Sequence, residues 1–198
     1  MRDSKAGRED QANDADRRRR ERDLATELER MDETEPPVKE SALRPIEEGL
    51  KAVSFPAPGT EVRAAVGDRA VESATGTDTV RDLIPETEVT FDSPAAVRAR
   101  VQRPTVAAAM KRVVEASAGV QGVSLDISQR EAYERTLRSL AAVDADDDDE
   151  GIDAIADWIV GKISDKGALP GSRRVRKEAA TFCRSNGYEV RDDEWLGA

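Results

Sequence analysis

Residues 88–117, EVTFDSPAAVRARVQRPTVAAAMKRVVEAS, decide the fold class. EVTF, rich in β-formers, reads as a short strand. Asp92-Ser93-Pro94 then turns the chain into a helix. Ser93 offers an N-cap oxygen, and Pro94 stands at the first helical position, where a missing N–H does no harm. Val97 and Val101 give that helix an inner face. Pro104 breaks it, and TVAAAMKRVVEAS restarts as a second helix with Met110, Val113 and Val114 inward. One strand, one cap and two helices in immediate succession predict an α+β chain that is mostly helical.

Working toward the N-terminus, the same signals become shorter. TDTVRDLIPE reads as a helical turn with Val80, Leu83 and Ile84 on one face and Pro85 at its end. DRAVESA alternates weakly, as a strand would. TEVRAAVGDR is helical, with Val62 and Val66 four apart. IEEGLKAVSFP begins as a helix and passes into an extended segment at Phe55-Pro56. Together these place a small α+β domain over residues 46–120. Residues 1–45 are nearly free of apolar side chains and are expected to form a disordered or loosely helical charged tail. Its one apolar seam, Leu24, Leu28 and Met31, is too short for a stable coiled coil. Arg17–Arg20 sit among Asp14, Asp16, Glu21 and Asp23 and read as a solvated charge run.

Toward the C-terminus, residues 121–150 read as a helix followed by an acidic linker. Ser128 and Glu131 match a capping box, and Tyr133, Leu137 and Leu140 form the stripe. DADDDDE, residues 144–150, extends by self-repulsion. Residues 151–198 read as a small helical unit resembling a helix-turn-helix. Ile152, Ile155, Ile159 and Ile163 mark an amphipathic helix. Ser172 is expected to cap a second helix that runs to Ser185 and stops at Asn186-Gly187. YEV is a candidate strand, and Trp158 and Trp195 read as core anchors.

Composition narrows the function. The chain has 198 residues, 36% of them charged and 4% aromatic, with a net charge of −10, so Ala and Val must supply much of the core. Of its bases 24 are Arg and 7 are Lys, and its acids divide into 21 Asp and 20 Glu. An acidic, Asp-rich, Lys-poor surface stays hydrated in concentrated salt, which points to a haloarchaeal cytoplasm. One cysteine excludes an internal disulfide. No run approaches the ~20 apolar residues of a membrane helix, and no secretory signal is visible, so the expectation is a cytoplasmic protein without membrane contact.

The run SFPAPGTEV…AVGDRAV…TVRDLIPETEVTFDSPAAVRARV resembles a small haloarchaeal family of domains of unknown function, over about residues 46–103. The resemblance rests on Phe55-Pro56, Gly67-Asp68-Arg69 and Phe91-Asp92-Ser93-Pro94. It implies a fold and a lineage and no chemistry. Residues 152–186 are similar to the first two helices of GntR-type winged-helix repressors, through Gly167, Leu169, Pro170, Ser172 and Arg173. Only a short stretch follows Gly187, where that family places its recognition helix.

The sequence gives no catalytic, metal or cofactor site. Histidine is absent, which removes the commonest general base and metal ligand. There is no phosphate-binding or nucleophile-elbow motif. Asp144, Asp146 and Asp148 have the first three spacings of a calcium loop, but its Gly and Glu positions hold Asp149 and Ile155. Cys183 lies on an apolar arc and reads as a core residue. The candidate binding residues are Arg173, Arg176, Lys177 and Arg184, opposite the arc of Val175, Ala179, Phe182 and Cys183. Within 162–184 seven bases face two acids. No aromatic platform for single strands is evident beside them. The leading expectation is a non-enzymatic binding or adaptor protein acting on an unidentified protein partner. The alternative is a nucleic-acid-associated factor using the helix 172–186.

Overall fold

The computed structural model describes residues 38–73, 76–143 and 150–188. Among them are eight helices and two small antiparallel strand pairs. Chain order is α1 (Glu40–Leu50), β1 (Ala57–Pro58), α2 (Gly59–Val66), β2 (Ala70–Glu72), β3 (Thr77–Thr79), α3 (Val80–Leu83), β4 (Thr90–Phe91), α4 (Pro94–Val101), α5 (Pro104–Ala118), α6 (Ile127–Val143), α7 (Glu150–Lys166) and α8 (Ser172–Ser185). The fold is α+β and mostly helical, as the sequence predicts.

The strand-to-helix step at 90–94 forms as its residues dictate. Phe91 pairs with Ala57 across β4 and β1. Ser93 Oγ accepts from the Ala96 N–H at 3.2 Å, and Pro94 opens α4. Val97 and Val101 are buried. Pro104 starts α5 directly after the break. β2 and β3 pair from Ala70 opposite Thr79 to Glu72 opposite Thr77, and the Asp82 carboxylate accepts both the Thr79 N–H at 3.0 Å and its hydroxyl at 2.6 Å. Those bonds stabilise the charged carboxylate and lower its pKa.

The folded part begins earlier than the expected boundary at residue 45. Val38 bridges to Ser73 and is buried, and α1 starts at Glu40. The stripe Leu43, Ile46 and Leu50 is what orders it. Pro45 stands in the middle of this helix, where it forfeits one backbone bond. The reading of residues 1–37 as a tail, including Leu24, Leu28, Met31 and Arg17–Arg20, lies outside the described residues, as do Asp144–Asp149, Glu189, Val190 and Trp195.

Two apolar clusters meet at α5. The first gathers Val38, Leu43, Ile46, Leu50, Val62, Val66, Val80, Leu83, Ile84, Phe91, Val97 and Val101, with Ala107 from α5. The second takes Val106, Ala109, Met110, Val113 and Val114 from α5 and packs them against Tyr133, Leu137, Leu140, the four isoleucines of α7, and Val175, Ala179 and Cys183 of α8. The buried clusters therefore do not follow the expected divisions at 120 and 150. α6 is part of the same core as α7 and α8, and α5 serves both sides because small residues flank its Val and Met positions.

Two caps differ from expectation. The N-cap of α6 is Asp126, whose Oδ1 accepts from the Gln129 N–H at 2.8 Å and from the Ser128 hydroxyl at 2.7 Å. Ser128 is thus inside the first turn. For α8 the N-cap is Gly171, which has no side chain to accept from the first-turn N–H groups, and Ser172 is the first helical residue. The C-terminal stop holds as read: Gly187 has φ +79° and the Tyr188 N–H reaches back to the Cys183 carbonyl at 3.0 Å.

Candidate nucleic-acid interface

The position of α8 is set by the turn before it. Gly167, at φ +60°, closes α7 with its N–H on the Ile163 carbonyl at 2.8 Å. Pro170 is buried, and its carbonyl accepts from the Tyr133 hydroxyl and from Gln129 Nε2 at 3.1 Å. These bonds fasten the turn to α6, so α8 leaves it in a fixed direction. Its apolar side, Val175, Ala179 and Cys183, goes into the second core, and Ala180 beside them is buried too.

That burial turns the bases outward. Arg173, Lys177 and Arg184 are exposed and, at about 100° per residue, fall in one row along the helix. Arg176 departs from the row: it is half-buried on the flank, and its Nε is shielded without a hydrogen-bond partner. Three of the four predicted site residues are therefore brought together, and the fourth is set aside.

The structure adds three residues that the sequence reading did not join to the site. Trp158 of α7 is only partly buried, against the core's edge, rather than a fully enclosed anchor. Lys162 Nζ lies 5.5 Å from its ring centre, and the Arg174 guanidinium carbon lies 5.5 Å from the same ring. The i, i+4 spacing of Trp158 and Lys162 is legible in the sequence. The approach of Arg174 depends on the tertiary turn and is not.

The bases of α8 are gathered on one face. Several arginines elsewhere meet carboxylates: Arg63 with Glu86 at 3.2 Å, Arg81 with Asp68 at 2.7 Å, Arg98 with Glu47 at 2.9 Å, and Arg112 with Asp153 and Asp157 at 2.6 and 2.7 Å. The exposed Arg44, Arg69 and Arg135, by contrast, stand apart from one another in the chain and meet no described carboxylate. Among the described residues no carboxylate pairs with Arg173, Arg174, Lys177 or Arg184. The first turn of α8 also holds no acid, though the helix dipole favours one there. Helix stability alone does not select two arginines at that end.

There is a second surface feature. Thr87–Thr90, Ser117–Ala118, Val123–Ser128 and Arg130 line an open groove. Ile127 stands in it 42% exposed. Arg130 closes one end, donating to the Thr90 carbonyl at 3.2 and 3.3 Å and lying 5.8 Å over the Phe91 ring. Burial is the first cause that lowers its pKa, with the Arg100 charge second.

Among the described residues no three His, Cys, Asp or Glu side chains gather as metal ligands. No described helix is long and apolar enough to cross a membrane.

Residues 40–113 match the model of a family of unknown function (DUF5789). The match covers α1 through most of α5, so it runs beyond both ends of the resemblance carried by Phe55-Pro56 and Phe91–Pro94. Comparison with curated proteins and with solved structures gives no match. The basic face of α8 and Trp158 lie outside the matched segment.

Proposed function

We propose that this chain is a non-enzymatic binding protein that associates with nucleic acid through the exposed face of α8. The observation that carries the reading is a row of cations, Arg173, Lys177 and Arg184, without carboxylate partners among the described residues of an acidic protein. A basic stripe on one helix is the electrostatic footprint of phosphate contact. The sequence ranks a protein partner first, and the gathering of unpaired bases in one row on a single helix is what favours the polyanion. The composition further supports a cytoplasm of high salt as the setting.

The test is retention on immobilised DNA and RNA over a potassium chloride series. The wild type is compared with a variant carrying Arg173→Gln, Arg176→Gln, Lys177→Gln and Arg184→Gln. Retention that the variant loses supports the reading. Equal behaviour of the two proteins removes it.

The groove at Ile127 favours a second reading, an adaptor acting through protein contacts. An exposed Ile beside Val89, Val123 and Leu125, rimmed by Glu88, Asp126 and Arg130, has the apolar centre and polar border of a small protein contact. Ile127→Asp should abolish capture of a protein partner from lysate at native salt while leaving nucleic-acid retention intact.

A further inference from the structure

We propose that Trp158 and Arg174 form a stacking platform for an unpaired base of single-stranded nucleic acid, with Lys162, Arg173 and Lys177 placed for its phosphates. This rests on the reading of α8 as a nucleic-acid face and names the form of nucleic acid that it takes.

Charge alone fits this surface poorly to a duplex. Three cations in a row make few phosphate contacts, and the Debye length falls to about 3 Å in molar salt. A complex that persists there needs contacts that salt does not screen. Stacking on aromatic or guanidinium planes is such a contact, and it is sequence-tolerant because every base has a π face.

Trp158 has the features of such a platform. It is a large aromatic left half-open at the edge of the core. The structure gives the Lys162 and Arg174 side chains no described partner except its ring, at 5.5 Å each. Arg174 itself is exposed and accessible to a base, and its guanidinium carbon lies over the indole at 5.5 Å. From there the row runs along α8, with Arg173 beside Arg174 and Lys177 one turn on, about 6 Å further along the axis. A strand stacked at Arg174 follows these cations in sequence. A peptide of Asp and Glu alone would meet the same charges but has no aromatic ring for the platform.

The test uses the full chain with Trp195→Phe, which leaves Trp158 as the sole tryptophan. Labelled oligothymidylate is titrated by anisotropy while Trp158 emission is followed. Binding should quench that emission. Arg174→Lys, which keeps the charge and removes the plane, should weaken binding about tenfold with an unchanged salt slope. Arg173→Gln with Lys177→Gln should instead flatten the slope of log affinity against log salt by about 1.4, from roughly 0.7 per phosphate contact. Arg174 is exposed, so its variant tests the platform without a folding defect. Binding with unaltered Trp158 emission and full affinity of Arg174→Lys would overturn the platform and leave the basic face standing. A preference for duplex, or equal competition per charge by polyaspartate, would overturn it as well. If the wild type binds no oligonucleotide even at low salt, the platform and the reading beneath it fall together.

Discussion

Arg100 and Glu134 meet at 2.7 Å in an ion pair that is nearly enclosed, the side chains being 5% and 16% exposed. The pair joins α4, within the family-matched segment, to α6 of the helical core. A buried pair of this kind adds little net stability over an apolar pair of the same shape, but losing one partner strands a charge. Glu134→Ala should therefore cost about 3 kcal/mol, read as a lowered urea midpoint. The double change Arg100→Met with Glu134→Leu should recover most of it. A single variant as stable as the wild type would mean that solvent already reaches the guanidinium.

Gly59 stands where no side chain fits. A Cβ there would lie 2.3 Å from the Pro85 carbonyl oxygen and 3.3 Å from that of Thr87. Both neighbours are backbone, and the Gly59 N–H is bound to the Val89 carbonyl at 3.1 Å, so neither side yields easily. Gly59→Ala should cost about 2 kcal/mol, in the range of overpacked sites, measured by chemical denaturation. Gly171→Ala, with open space around it, serves as the control.

Much of this fold is legible in the chain because its elements begin with local chemistry. Ser93-Pro94 and Pro104 set helix starts by bonds within a few residues, and the Val, Leu and Ile stripes of α4, α5 and α7 report their own buried faces. What escaped reading depends on distance. The first half of α1, residues 40–45, reads as tail because Leu43 stands alone among polar residues, and its burial comes from the packing of α1 on α2, α4 and β2. α5 looked like one amphipathic helix, and only the tertiary structure shows Ala107 and Val106 facing different cores. The basic row on α8 was visible as an arc, whereas Arg176's place on the flank and the meeting of Arg174 with Trp158 required the turn fastened by Tyr133. Asp126 was missed as a cap because S-x-x-E two residues later matched a familiar pattern.

That cap gives a prediction with a sign in pH. Asp126 accepts first from the Gln129 N–H and then from the Ser128 hydroxyl, and both bonds hold its pKa below the usual carboxylate value. A carboxyl with a lowered folded pKa contributes stability above its unfolded pKa, near 4, and loses it as pH falls through the folded value. Asp126→Ala should lower the melting midpoint at pH 7 by more than Ser128→Ala does. The gap between Asp126→Ala and the wild type should shrink as pH drops below about 4. Equal midpoints for Asp126→Ala and Ser128→Ala at pH 7 would return the cap to Ser128.

Tyr133 makes the opposite prediction at the alkaline end. Its ring is buried in the second core, and its hydroxyl donates to the Pro170 carbonyl while accepting from Gln129 Nε2 at 3.0 Å. Burial opposes the phenolate and raises its pKa to about 12. Because the folded value is the higher one, the stabilisation is complete below the unfolded pKa, near 10, and is lost as pH rises toward 12. Of the two tyrosines, Tyr133 should titrate late by ultraviolet absorbance, and α6 and α8 should lose their mutual packing as it does. Tyr133→Phe removes that alkaline loss at a cost near neutral pH of about 1 kcal/mol for the missing hydrogen bond. Since that bond also fixes the turn that aims α8, the function proposed for that helix predicts weaker nucleic-acid retention by the Phe variant at unchanged charge. Two tyrosines titrating together near 10 would show that the Pro170 turn is not held as described.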